Sequence, residues 1–189
     1  RVKNNLQSVQ SLLRMQGLPP DAQKSLSARI MAMIAVHEQI YRNDAFAMIE
    51  LRNLVPAMVD KLVEAYEAPV EIVYSIDAVR VSGDHATAIA LLLNEVVTNS
   101  LKYARENMVG LHLSITVAAG EQERITLSVS DNGNGFDPEA VRHGMGSRLI
   151  SGVVRQLNGS FRYEIGEGTT FIADLDLRAT DKAGLPAAG

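Results

Sequence analysis

Leu93-Asn94-Glu95-Val96-Val97-Thr98-Asn99-Ser100-Leu101-Lys102-Tyr103-Ala104 closes a helical pattern that starts near Asp84. Glu95 and Asn99 are four residues apart and Lys102 is three beyond Asn99, so the three share one helix face. Leu92, Val96 and Leu101 face the other way and are expected to pack on a sheet. A carboxylate, an amide oxygen and an ammonium on one face suit a metal-bound polyphosphate. The amide oxygen is a hard ligand for Mg²⁺. The ammonium offsets phosphate charge, and the carboxylate can orient or deprotonate a nucleophile. Taken alone, the pattern is more often that of a solvated face with an i,i+4 polar pair.

Three further segments follow in order. Asp131-Asn132-Gly133-Asn134-Gly135-Phe136 comes directly after a strand pattern. Its glycines allow backbone to approach a ligand closely, and Asp131 can accept a hydrogen bond from an exocyclic amine. An ordinary Asn-Gly turn is the plainer alternative. A calcium loop fails, because Arg142 stands at the twelfth position, where a bidentate Glu is required. Gly144-Met145-Gly146-Ser147-Arg148 opens a helix, whose N-terminal N–H groups can bind phosphate; a flexible loop with a Ser cap is the plainer alternative. Arg148 in that first turn opposes the helix dipole, a penalty that a nearby anion removes. Leu149 stands where a Rossmann fingerprint needs its third glycine, and no Walker A sequence occurs. Gly168-Thr169-Thr170-Phe171 sits at a hairpin turn, where a Thr hydroxyl can bond a base edge or a water, although by itself the segment reads more simply as a β-branched strand start.

The flanking sequence supplies the frame. Val2, Leu6, Val9 and Leu13 recur at helical spacing. Gly17-Leu18-Pro19-Pro20-Asp21 breaks that helix. A second runs over about Ala22–Arg42, with Leu26, Ile30, Met33, His37 and Ile40 on one stripe. Two helices and a short turn read as an αα-hairpin, whose exposed seam calls for a second copy and a four-helix bundle. A boundary is expected near 43–50. Beyond it come a helix from about Arg52 to Glu67, with Pro56 near its first turn, and a strand at Val70–Ser75. The long helix Asp84–Ala104 follows. Leu111–Val117 and Ile125–Ser130 are expected as antiparallel neighbours. A helix at Ser147–Leu157 and a final hairpin, Phe161–Ile165 with Thr170–Leu177, complete the pattern. The fold class is therefore α+β: a helical hairpin, then a two-layer α/β sandwich with helices on one sheet face. Residues 1–48, 49–178 and 179–189 are expected as hairpin, mixed domain and disordered tail.

The order of the four segments resembles the ATP-binding domain shared by histidine kinases, type II topoisomerases, heat-shock chaperone ATPases and mismatch-repair ATPases. The resemblance covers about Arg52–Leu177. It implies a Bergerat-type pocket for ATP and Mg²⁺. Glu95, Asn99 and Lys102 are similar to the N box, with Asn99 as the metal ligand and Tyr103 placed along the adenine. Asp131, Gly133 and Gly135 resemble the first glycine box, with Asp131 reading the adenine amine. Gly144, Met145, Gly146, Ser147 and Arg148 resemble the second, and Thr169 matches the family's terminal threonine. Arg1-Val2-Lys3-Asn4-Asn5-Leu6-Gln7 is similar to the sequence following the phospho-accepting histidine in a branch of histidine kinases related to the HWE group. His37-Glu38-Gln39-Ile40-Tyr41 resembles the end of that branch's second helix. The chain departs from the HWE group in its Leu93-Asn94-Glu95 and in having no Trp.

The resemblance implies that the acceptor histidine lies just before Arg1 or one position further back. None of His37, His85, His112 and His143 is expected to take the phosphate. It implies Glu95 as the group that polarises the attacking imidazole, residues 136–146 as a lid over ATP, a homodimer through residues 1–42, and a response-regulator receiver as the next phosphate acceptor. The alternatives are a histidine phosphotransfer protein with a decayed nucleotide domain, a conformational ATPase, and an anti-sigma-type serine kinase. The hairpin argues against the last two.

Bulk properties agree. Eighteen basic against 22 acidic residues give a net charge of −4, which offers no general affinity for nucleic acid. The absence of cysteine suits a reducing, cytoplasmic setting. The apolar runs Ile30–Val36 and Ala88–Leu93 are too short to span a bilayer. The start at Arg1, inside helical sequence, suggests a fragment whose sensor domain lies upstream.

Overall fold

A computed structural model describes residues 19, 23, 26–34, 48–66, 69–103, 110–135 and 145–178. The first helix of the expected hairpin, its turn apart from Pro19, His37, the 136–144 part of the lid and the tail lie outside the described residues. So does any test of the acceptor.

Five strands form one sheet in the order β2-β4-β5-β7-β6. They are β2 (Val70–Ile76), β4 (Leu111–Ala119), β5 (Arg124–Asp131), β6 (Ser160–Ile165) and β7 (Thr169–Asp176). Alternation creates the layer. Leu111, Leu113, Ile115 and Val117 of β4 point inward between exposed or half-buried neighbours, as period-two sequence requires. The long helix α3 (Gly83–Tyr103) lies between β2 and β4 in the chain. Those two strands pair in parallel, from Val70↔Leu111 to Ile76↔Val117, since a parallel pair needs a crossover of this length. The remaining pairs are antiparallel.

Helices α2 (Leu51–Tyr66), α3 and α4 (Met145–Gln156) contribute their apolar faces to one core with the sheet. Leu92, Leu93, Val97, Ile115, Leu127 and Phe171 are all at most 1 % exposed. Each such side chain contributes about 1.5–3 kcal/mol of burial free energy. Ser82 caps α3, its Oγ accepting from the His85 N–H at 3.2 Å, which satisfies one orphan donor of the first turn. Helix α4 ends in a Schellman motif. Gly159 N–H donates to the Val154 carbonyl, and Asn158 N–H, in the left-handed region, to that of Arg155.

Two details differ from the sequence reading. Pro56 sits inside α2, just past its first turn, because the helix begins at Leu51, one residue earlier than expected. A two-stranded sheet also appears, β1 (Ile49–Glu50) against β3 (Arg80–Val81). It is too short to leave a periodic signal.

Residues 26–34 form a helix, α1. Ala28 and Ala32 are buried and belong to the core cluster of the mixed domain, and Ile30 of the predicted seam is buried as well. Part of that seam is therefore covered within a single chain. No described helix is long and apolar enough to cross a membrane.

Candidate functional site

The register of β5 on β7 places Asp131 opposite Thr169. Asp131 is the last residue of its strand and Thr169 the first of its own, so both face the loops that leave the sheet. The turn Gly166–Gly168 closes over them. A Cβ at Gly168 would collide with the backbone carbonyl of Asp131, so only glycine permits this approach.

Asp131 is the hub. Its Oδ1 accepts the N–H of Gly133 at 3.0 Å and that of Thr169 at 3.3 Å. Its Oδ2 accepts the hydroxyl of Ser100 at 2.7 Å. Three donors from a helix, a loop and a strand fix the carboxylate plane, and charge-assisted bonds of this kind exceed neutral ones in strength. An oxygen of a carboxylate carries a second lone pair, so Oδ2 retains acceptor capacity for an exocyclic amine.

A cavity opens beside this carboxylate. Its walls are Val96, Asn99 and Ser100 of α3, Val129 and Asp131 of β5, Gly135, Ser147 and Ile150 of α4, Tyr163, Thr169 and Phe171. Apolar side chains form most of the wall and a few polar groups converge, as in small-molecule sites generally. Tyr163 and Phe171 meet edge to face, centroids 5.3 Å apart. Burial pushes the Tyr163 hydroxyl up to about 12, which keeps it neutral here.

Residues from all four motifs thus meet: Asn99, Asp131, Gly135, Ser147 and Thr169 line one space, and Gly133 braces Asp131 from behind. Gly146 and Arg148 belong to the first turn of α4, with Arg148 exposed to solvent. Lys102, in the last turn of α3, is half-buried and is not among the lining residues. Met145 opens α4 and Tyr103 closes α3, but their side chains, like Gly144, lie outside the described residues. Ser100, Tyr163 and Phe171 were not singled out in the sequence, because a serine in a helix and aromatics in a strand carry no local mark of a ligand.

Glu95 does something the sequence did not indicate. It is 5 % exposed, and both its oxygens are held. Arg29 Nε donates to Oε1 at 2.7 Å and Arg29 Nη2 to Oε2 at 2.8 Å. Asn94 Nδ2 adds a 3.0 Å bond to Oε1. The hydrogen bond to Glu95 raises the Arg29 guanidinium above its ordinary range, against the opposing effect of burial. A Cβ on Gly146 would lie 3.0 Å from Glu95 Oε2, so the carboxylate abuts the start of α4.

Among the described residues, no group of three or more carboxylate, imidazole or thiol side chains could cage a metal. The Asn99 amide on the cavity wall instead fits an ion that arrives with a polyphosphate and keeps several waters, as Mg²⁺ prefers.

Comparison with known proteins gives two family matches. Residues 84–179 match "Histidine kinase-, DNA gyrase B-, and HSP90-like ATPase", and residues 1–66 match "Histidine kinase". The chain is 28 % identical over 193 residues to blue-light-activated histidine kinase 2 of Erythrobacter litoralis, covering 94 % of this chain and 54 % of that protein. It therefore spans about half that relative's length. Among solved structures, the histidine kinase domain of an Erythrobacter litoralis blue-light-activated histidine kinase superposes with TM-score 0.76 at 22 % identity, covering 93 % of this chain and 94 % of that one. The Acinetobacter baumannii histidine kinase AdeS gives 0.56 at 17 %, covering 93 % and 95 %. At these identities the structural likeness concerns the fold.

Proposed function

Because the chain belongs to the histidine kinase-, DNA gyrase B- and HSP90-like ATPase family, as a histidine kinase catalytic core, we propose that its cavity holds ATP·Mg²⁺ and that its parent is a two-component sensor kinase. In this reading the γ-phosphate passes to a histidine just upstream of Arg1 and then to a receiver aspartate. The observation that carries it is the Asp131 carboxylate, fixed by Ser100, Gly133 and Thr169 at the mouth of an apolar slot. That arrangement supports recognition of an adenine amine, with the ring between Val96, Ile150 and Phe171.

The rest of the nucleotide is assigned by the resemblance of the sequence motifs to those of the family. Asn99 holds Mg²⁺, which when bound neutralises phosphate charge. By that resemblance, Lys102, Arg148 and the backbone of Gly144, Met145, Gly146 and Ser147 are assigned to the phosphates, and Tyr103 to the adenine. Little covalent work falls to the protein in phosphoryl transfer, so positioning and charge stabilisation dominate. One imidazole nitrogen bonds to the γ-phosphorus, and the bond to the β,γ-bridging oxygen breaks to release ADP. Glu95 accepts the proton from the other ring nitrogen, or holds it by a hydrogen bond.

Residues 1–48 serve as the dimerisation and phosphotransfer hairpin, 49–178 as the ATP-binding domain, and residues 1–42 pair with a second copy. In this reading the kinase core works in the cytoplasm and answers to a sensor domain. The test of the Glu95 role is Glu95→Gln in a chain that carries the upstream histidine, with ATP affinity measured beside autophosphorylation. Retained affinity with phosphorylation lowered at least tenfold supports the role. Unchanged phosphorylation removes it.

A further inference from the structure

The pair formed by Arg29 and Glu95 joins two parts of the chain that are 66 residues apart. Its side chains are 11 % and 6 % exposed, so water competes little for either. We propose that Arg29 is a positioning residue that locks Glu95 away from proton transfer, and that the docked α1 described here is the resting state of the kinase. The proposal rests on the reading of Glu95 given above.

The geometry carries it. To take or hold an imidazole proton, a carboxylate oxygen must offer a lone pair at about 2.6–3.2 Å. Arg29 occupies one oxygen with Nε and the other with Nη2, the fork geometry that suits carboxylate best. Asn94 takes a second position on Oε1. The start of α4 lies against Oε2, where a methyl on Gly146 would come within 3.0 Å of it. The fork covers both oxygens on the side of α1, so an imidazole approaching from there reaches Glu95 only after the guanidinium withdraws.

Withdrawal is not a local matter. Arg29 stands between Ala28 and Ile30, both buried, and Ala28 and Ala32 are part of the core cluster. Removing the guanidinium from Glu95 thus involves loosening α1 from the ATP-binding domain. A signal that moves α1 would free the carboxylate at the moment it frees the hairpin. One contact then couples the position of the hairpin to the availability of the base.

The chain contains no cysteine, so cysteines introduced at Ser27 on α1 and at Ser151 on the exposed side of α4 take spin labels uniquely. Pulsed distance measurements on the labelled chain, and unstimulated autophosphorylation rates in a chain extended to its acceptor histidine, are compared for wild type, Arg29→Ala, Arg29→Gln and Arg29→Lys. A narrow, short distance is expected in wild type. Arg29→Ala and Arg29→Gln should lengthen and broaden it and raise the rate at least threefold, with ATP affinity within twofold. Arg29→Lys, which keeps the charge but loses the fork, should fall between. A slower rate in Arg29→Gln would show that Arg29 assists transfer and would overturn the proposal. So would an unchanged rate, whether or not the distance moves. Should Arg29→Ala not fold, the Gln and Lys variants decide alone. Failure of the Glu95 reading itself is visible separately, as normal phosphorylation in Glu95→Gln.

Discussion

Ser100 Oγ lies 2.7 Å from Asp131 Oδ2 and donates to it, joining the helix that carries Asn99 to the strand end that carries the recognition carboxylate. This bond sets the distance between the two halves of the cavity. Ser100→Ala leaves the carboxylate one donor short. A hydrogen bond to a charged group contributes about 1.5–3 kcal/mol. A stability loss at the lower end of that range is expected, because Gly133 and Thr169 still hold Oδ1. ATP affinity should fall several-fold. Urea unfolding and calorimetric titration read the two effects.

Asp131→Asn replaces an ionised acceptor by an amide in the same shape. One of its two polar ends must then face the N–H groups of Gly133 and Thr169, so adenine recognition and loop anchoring compete. ATP affinity is expected to drop by a factor on the order of 10 or more, equivalent to about 1.4 kcal/mol or above. Far-UV circular dichroism should remain that of wild type.

Gly168→Ala tests the close approach of the turn to Asp131. The added methyl would collide with the Asp131 carbonyl, and that carbonyl is backbone, so the strand end must move. Overpacking of this kind costs about 1–3 kcal/mol. A lower thermal midpoint together with weaker ATP binding is expected. An unchanged midpoint would mean that the turn and Asp131 are not held as described.

Alkaline pH isolates Tyr163. Its hydroxyl ionises at about 12 in the folded chain because of burial, against about 10 when unfolded. The folded state therefore holds this proton more tightly, and its contribution is complete below pH 10. It is lost as pH rises through 12, where both states have ionised. Tyr163→Phe should behave like wild type below pH 10 and lose less stability between pH 10 and 12. Tyr74 also ionises above its ordinary range, through burial and its bond to Asp60, and affects both proteins equally.

Most of the frame was legible in the sequence because it is periodic. Leu111–Val117 alternates and became β4, and Asp84–Ala104 carries a helical pattern and became α3. The four motifs were legible because glycines and polar residues stand at element ends, where the structure gathers Asn99, Asp131, Gly135, Ser147 and Thr169. What escaped has no local signature. Arg29 looks like any helix-surface cation until its partner 66 residues away is in place. Ser100 finds Asp131 across 31 residues. The face expected to offer Glu95 freely to a nucleophile is instead covered by a helix from the other part of the chain.

The most direct measurement is phosphoamino-acid analysis of a chain extended upstream to include its acceptor, incubated with γ-labelled ATP and Mg²⁺ and then with a receiver protein. A label on histidine, lost in acid, stable in alkali, absent in Asp131→Asn and passed on to the receiver, is the expected result. A label on serine, or hydrolysis of ATP with no phosphorylated protein, would contradict the assignment as a histidine kinase core.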